Sequence, residues 1–286
     1  MRKEKVSLHS LGDTLVGVLF LPESASPCPT LIVCPGGLMC KEIYFELSEF
    51  LAQKGVAALS MDMHGHGQSG GERFHVNMRE WVADIRSALD FLANHTRVDS
   101  QKIGAWGHSS GGRAILEAAL VDPRLKTLIT LDATVRNSWG FLVALMFQAL
   151  ILVSRIKKLL TKQDLRFSMV KMFENIHVAA DPEINRQLCT DPRFIEGFAS
   201  FPLPGAAESF FVDTIKRVDR ITIPTLVVWG ENDELDPPES ARLLYAALTC
   251  KKQLHIIPGN GHMGHLDRNK DQVLVLTAKW ALENLK

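Results

Sequence analysis

Neither sign of charge is in excess in this 286-residue chain, where 32 Lys and Arg stand against 32 Asp and Glu. A balanced chain has no general basic field with which to hold a nucleic acid backbone, so a nucleic acid partner is not expected. Cysteine is sparse. Cys28, Cys34, Cys40, Cys189 and Cys250 are scattered and nowhere spaced C-x-x-C, which speaks against a disulfide framework and against a zinc site. A reducing, cytoplasmic compartment is the expectation. No apolar stretch of membrane-spanning length occurs either. The longest, Trp139 to Val153, is interrupted by Gly140 and Gln148 and falls short of the roughly 20 residues a spanning helix needs. Met1-Arg2-Lys3-Glu4-Lys5 runs into the alternation of Val6 and Leu8 instead of a continuous apolar region, so no signal peptide is expected.

What is present, 46% hydrophobic and 22% charged residues, is the composition of an ordinary globular enzyme. At about 150 residues per domain the length suits roughly two units, or one α/β domain with an insertion. Short apolar runs rich in β-branched residues alternate with longer amphipathic stretches, the pattern of βαβ units around a mostly parallel sheet. Strands are predicted at Thr30–Cys34, Val56–Met61, Lys102–Trp106, Leu125–Leu131, Thr225–Trp229 and Gln253–Ile257. Ahead of them, Val6–His9 and Thr14–Phe20 alternate around Leu11-Gly12-Asp13 and predict an antiparallel pair. Helices are predicted at Tyr44–Gln53, Met78–Ala93, Gly111–Ala119, Pro238–Ala247 and Asp271–Leu285. The rhythm stops between Thr134 and Val218. The expectation is a core of residues 1–135 and 218–286, with a mainly helical cap at 136–217.

The strongest chemical signal is Gly107-His108-Ser109-Ser110-Gly111, a G-x-S-x-G placed where a strand ends and a helix begins. A serine on such a tight turn projects its hydroxyl above the sheet, and small flanking residues permit the close backbone approach. Ser109 is the candidate nucleophile, and the Ser110 N–H is a candidate oxyanion donor at the start of the following helix. A serine needs a base to take its proton and an acid to orient that base. After Thr225–Trp229 comes the carboxylate-rich turn Gly230-Glu231-Asn232-Asp233-Glu234-Leu235-Asp236, in which Asp233 is the preferred acid over Glu231 and Asp236, and over Asp132 after an earlier strand. After the last strand comes Pro258-Gly259-Asn260-Gly261-His262-Met263-Gly264-His265, in which His262 is the preferred base over His265. The chain order Ser, Asp, His is that of α/β-hydrolases. Gly37, in Pro35-Gly36-Gly37-Leu38 after Thr30–Cys34, is the second candidate oxyanion donor. Neither a phosphate loop nor a dinucleotide fingerprint is present, so no nucleotide cofactor is expected.

With these motifs over residues 4–135 and 218–284, the chain resembles the α/β-hydrolase fold enzymes, specifically the capped esterase, lysophospholipase-like and serine-aminopeptidase-like branch. Asp62-Met63-His64-Gly65-His66-Gly67-Gln68-Ser69 resembles that family's D-x-x-G-x-G-x-S segment, which implies a structural loop beside the site. Pro35 departs from the His-Gly pattern that many members carry. His64 and His66 are too weak a pair to predict a metal.

The resemblance implies a serine hydrolase acting on carboxylic esters of small or medium acyl groups, or thioesters, with a small-molecule substrate and no cofactor. Three alternatives stay open. A proline-type aminopeptidase needs a carboxylate cluster in the cap, for which Glu174, Asp181 and Glu183 are candidates. A carrier-protein thioesterase needs a basic docking surface, for which Arg155, Lys157 and Lys158 are candidates. A ligand receptor on a hydrolase fold is the third. The stretch Ser138–Lys162, apolar first and cationic afterwards, reads as pocket lining or core, as a peripheral membrane or lipid contact, or as an oligomer interface. Its apolar residues occur nearly all round the helix, which predicts burial against protein.

Overall fold

The computed structural model describes residues 1–24, 26–137, 140–173 and 177–286, with the backbone alone at Met172 and Phe173. Strands β1 (Arg2–Ser10) and β2 (Asp13–Leu21) form an antiparallel hairpin. Its turn is closed by Leu11 and Gly12, both at positive φ, the geometry that follows the strand twist in a two-residue hairpin. Then come β3 (Cys28–Cys34), α1 (Phe45–Gln53), β4 (Ala57–Met61), α2 (Met78–Ala93), β5 (Val98–His108), α3 (Ser110–Ala119) and β6 (Leu128–Leu131). The chain next leaves the sheet for α4 (Phe141–Thr161), β7 (Leu165–Phe167), α5 (Val170–Phe173), α6 (Pro182–Thr190), α7 (Pro192–Ala199) and β8 (Phe201–Leu203). It returns through β9 (Thr225–Gly230), α8 (Glu239–Ala247), β10 (Lys252–Ile257) and α9 (Lys270–Asn284).

The eight-stranded sheet has the order β1-β2-β4-β3-β5-β6-β9-β10, parallel from β4 onward. Strands β4, β6 and β9 are buried along their whole length, whereas β1 alternates buried and exposed residues. This is the difference between strands covered on both faces and a strand with one face in water. The chain winds outward from β3 to β4 and then crosses to β5 on the other side of β3, which makes the C-terminal ends of β3 and β5 the switch point where open α/β sheets place their sites. Helix α2 has the predicted bounds, and its buried Trp81, Ile85, Ala88, Leu89 and Leu92 form one face.

Three differences from the sequence reading have physical causes. Strand β5 begins at Val98 and not Lys102, because the polar Asp99-Ser100-Gln101 at the rim of the sheet hides the strand signal. Within the inserted segment, expected to be mainly helical, the sequence did not disclose β7 and β8, which pair antiparallel over three residues, too short for a period to show and with Pro202 in one strand. The largest correction concerns α4. Within it only Ile151 and Ser154 are buried, and most of the apolar side chains whose distribution predicted burial against protein are exposed in the single chain. Ser138 and Trp139, at the start of that run, lie outside the described residues, as does Glu174. Among the described residues, no helix is long and apolar enough to cross a membrane.

Candidate active site

The strand β5 ends in a turn that only particular residues can make. Ser109 sits at φ 52° and ψ −120°, a backbone conformation that L-residues adopt only when held there by their surroundings. A Cβ on Gly107 would stand 2.4 Å from the Gly111 carbonyl oxygen, and one on Gly111 would stand 2.3 Å from the Cys34 and Pro35 carbonyl oxygens. Both glycines are therefore required by close approach. The Ser109 N–H is fixed by the Leu131 carbonyl of the neighbouring strand (3.0 Å), and the Ser109 carbonyl accepts from Thr134 (3.2 Å).

The loop after β10 brings His262 back over the sheet. Its Nδ1 meets Asp233 Oδ2 at 2.8 Å, with both side chains buried. Asp233 is itself fixed, since its Oδ1 accepts from the N–H groups of Leu235 and Asp236, each at 2.9 Å. Burial works against the imidazolium, but the charge and hydrogen bond of Asp233, with Asp132 and Asp236 further off, push His262 up to about 9. The competing residues have other places. His265 is buried and stacked on Tyr44 (4.7 Å, 10°), and burial together with the His262 charge pushes it down to about 3. Glu231 is exposed and accepts from Gly259 N–H (3.1 Å). Asp132 accepts from Gly230 N–H (2.7 Å), and burial, reinforced by Asp233, drives its carboxyl well above the usual range.

Asp236 accepts a hydrogen bond from the Thr134 hydroxyl (2.8 Å), and the Thr134 oxygen lies 3.4 Å from Ser109 Oγ. Burial, against the pull of the His262 charge, pushes Asp236 up to about 6. The Ser109 hydroxyl thus has Thr134 as a hydrogen-bond neighbour, and among the described residues no hydrogen bond joins it to His262. Hydrogen bonds at such sites commonly tighten only when substrate is bound.

A buried chain of hydrogen bonds ties the three loops together. The Gly36 N–H donates to the Tyr44 hydroxyl (2.9 Å), which lies 2.8 Å from His108 Nδ1, and His108 Nε2 lies 2.8 Å from the His262 carbonyl. A carbonyl only accepts, so Nε2 carries the proton and Tyr44 donates to Nδ1. Burial, aided by the His262 charge, drives His108 well below its ordinary range, which keeps this tautomer neutral. Tyr44 therefore supports the loop in which Pro35 departs from the family pattern. Next in that loop, Gly37 faces Ser110: a Cβ there would stand 3.1 Å from Ser110 Oγ.

Sequence reasoning missed Asp267, whose side chain is buried and accepts four backbone N–H bonds. Its Oδ2 takes Gly261 (2.6 Å) and Ala180 (2.7 Å), and its Oδ1 takes Arg268 (2.8 Å) and Asp181 (3.0 Å). The His262 loop is thereby fastened to the inserted segment, as it is again by the bond from Met263 N–H to the Val178 carbonyl (2.8 Å). On the other side of the site, Gly197 of α7 rests on Leu38, next to Gly37. No local sequence signal separates this acid from a solvated one.

The alternative sites fare differently. Asp181 caps α6 by accepting from Glu183 and Ile184 N–H, and Glu183 pairs with Arg186 (2.6 Å), so neither carboxylate is set out for an amino terminus. Lys157 donates to the Asp164 carbonyl within the inserted segment, and Lys158 pairs with Asp164 (3.2 Å) and with Glu72 (2.6 Å), which joins that segment to the core. His64 meets Asp84 (2.5 Å) and His66 meets the His64 carbonyl (2.7 Å), structural bonds that serve the loop. A groove of about 670 Å³, bordered by Glu42, Asp181, Asp191, Asp267 and Arg268, includes none of Ser109, Asp233 or His262.

The family model described as serine aminopeptidase, S33, matches residues 25–269. An uncharacterized 31.7 kDa protein of Escherichia coli is 22% identical over 85% of this chain and 86% of its own length. A monoacylglycerol lipase of Mycolicibacterium smegmatis is 23% identical over 85% of this chain and 84% of its own. Among solved structures, the α/β hydrolase GrgF from Penicillium sp. sh18 superposes with a TM-score of 0.85 at 21% identity, over 100% of this chain and 99% of the other. The chain belongs to the serine aminopeptidase S33 family of α/β-hydrolases.

Proposed function

We propose that the protein is a serine hydrolase that cleaves carboxylic esters or thioesters of small or medium acyl groups, with Ser109, His262 and Asp233 as its triad. The observation that carries the reading is the 2.8 Å contact of His262 Nδ1 with Asp233, in a protein whose strand β5 is followed at once by Ser109 at φ 52°. In this reading the Ser109 hydroxyl turns from Thr134 to His262 Nε2 and attacks the carbonyl carbon as the imidazole takes its proton. The oxyanion is held by the Gly37 and Ser110 N–H groups. His262 then gives its proton to the departing alcohol or thiol, and a water, deprotonated by the same imidazole, releases the acid and restores Ser109.

An acyl substrate suits the inserted segment, which meets the site with Leu38 beneath Gly197 and Val178 against Met263, and with Phe194 and Phe198 packed together on α7. The test is hydrolysis of p-nitrophenyl esters from acetyl to palmitoyl by wild type and Ser109→Ala. Turnover by wild type and a loss on the order of a millionfold in the variant support the reading. Equal turnover by the two proteins, or none by wild type on any ester, overturns it.

A further inference from the structure

The helix α4 presents a surface that the fold leaves open. Its inner side is held by Ile151 and Ser154, by Phe147 stacked on Phe210 (4.1 Å), and by Lys157 and Lys158 bonded to Asp164 and Glu72. Its outer side carries ten large apolar side chains, 37% to 81% exposed. Together they present on the order of 1,000 Å² of apolar area, against roughly 300–600 Å² for the largest patch of an ordinary monomer. About 800 Å² from each partner suffices for a stable interface.

The spacing indicates what covers it. Leu142, Leu145, Ala149, Leu152, Ile156 and Leu159 recur in alternating steps of three and four residues and are all exposed, the seam by which one helix packs along another. A helix bound to a membrane surface sets cations along its flanks to meet headgroups. Here Phe141–Ser154 carries no charge, and of the cations that follow, Lys158 is paired with Glu72 and Asp164 while Lys157 is bonded to the Asp164 carbonyl.

We propose that α4 is the two-fold interface of a homodimer, in which it packs antiparallel against the same helix of a second copy. The seam is symmetric about its midpoint between Leu150 and Ile151. Antiparallel pairing sets Leu142 against the partner's Leu159, Leu145 against the partner's Ile156, and Ala149 against the partner's Leu152. A small residue faces a large one nearest the axis, which lets the helices approach closely. Parallel pairing would bring the Arg155 and Lys162 side chains of both copies together. The antiparallel arrangement lays each cationic end beside the uncharged half of the other helix. A groove of about 360 Å³ beside the seam, bordered by Gln148, Leu152, Arg155 and Phe211, offers room for a side chain of the second copy.

The experiment is light scattering on the full chain eluting from a sizing column at tens of micromolar, without detergent. Wild type is expected at twice the 31.8 kDa chain mass, and Leu152→Glu at the mass of one chain that still unfolds cooperatively, with a melting temperature lowered only by the loss of association, since the residue is exposed in the monomer. Leu145→Glu and Ile156→Lys are each expected to give monomers, and the double variant to restore the dimer, because only antiparallel pairing sets these two positions opposite each other. A monomeric wild type, or a dimer that survives Leu152→Glu, overturns the proposal, as does failure of the double variant to recover. Sedimentation of a monomeric wild type with phosphatidylcholine–phosphatidylglycerol vesicles would identify a membrane as the occupant and likewise overturn it.

Discussion

Replacing Asp267 by Asn is expected to cost far more than the change of one atom suggests. Its carboxylate accepts two backbone N–H groups on each oxygen, Gly261 and Ala180 on one, Arg268 and Asp181 on the other. An amide has one accepting oxygen, so whichever way it is turned, two N–H groups face an NH2. Each buried donor left without an acceptor costs about 1–3 kcal/mol, giving a loss of about 2–6 kcal/mol. At about 2–4 °C per kcal/mol for a chain near this size, the melting temperature should fall by at least about 4 °C. Turnover should fall as well, because Gly261 precedes His262 and a displacement near 1 Å costs roughly a hundredfold. Calorimetry gives the first quantity, and ester hydrolysis well below the melting temperature gives the second. A variant that melts within a degree of wild type and turns over normally would refute the reasoning.

The pH dependence follows from His262. The imidazole accepts the Ser109 proton only when neutral, and its pKa is pushed up to about 9, so kcat/KM should climb through pH 7 and 8, reach half its limit near pH 9 and level off about one pH unit above that. Asp236, pushed up to about 6, is ionised across that range, and Asp236→Asn should move the rising limb to lower pH; a limb centred near the ordinary histidine value in wild type would contradict this. At Lys41, a buried ammonium lies 2.7 Å from the buried Asp62 carboxylate. Lys41→Met should lower the unfolding free energy in urea by about 3 kcal/mol by leaving that charge without its partner; a change below about 1 kcal/mol would show that the backbone bonds to Asp62 suffice.

The parts of this molecule that the sequence discloses are those governed by local rules. The elbow at Ser109 needs small residues at Gly107 and Gly111 because backbone atoms lie within 2.4 Å of where a Cβ would stand, and such a requirement leaves its mark in the sequence. The buried strands and the amphipathic α2 show by their period. The preference for Asp233 over Asp236, and for His262 over His265, rested on order and position alone, and the physical distinction is three-dimensional: one pair bonds at 2.8 Å, while His265 lies flat on Tyr44 and Asp236 faces Thr134. Asp267 was silent because a carboxylate in a polar loop looks the same whether it is solvated or holds four N–H groups. For α4, the sequence left pocket lining or core, a lipid contact and an oligomer interface all open, since composition reports affinity for a partner without saying whether the partner belongs to the same chain.

The central claim is that Ser109 is a nucleophile activated by His262. It is tested most directly by treating the protein with a fluorophosphonate and mapping the adduct by mass spectrometry of its peptides. The account expects a single phosphonyl group on Ser109 in wild type, slowed labelling in His262→Gln, and none in Ser109→Ala. A label on another residue, or undiminished labelling of the alanine variant, would contradict it.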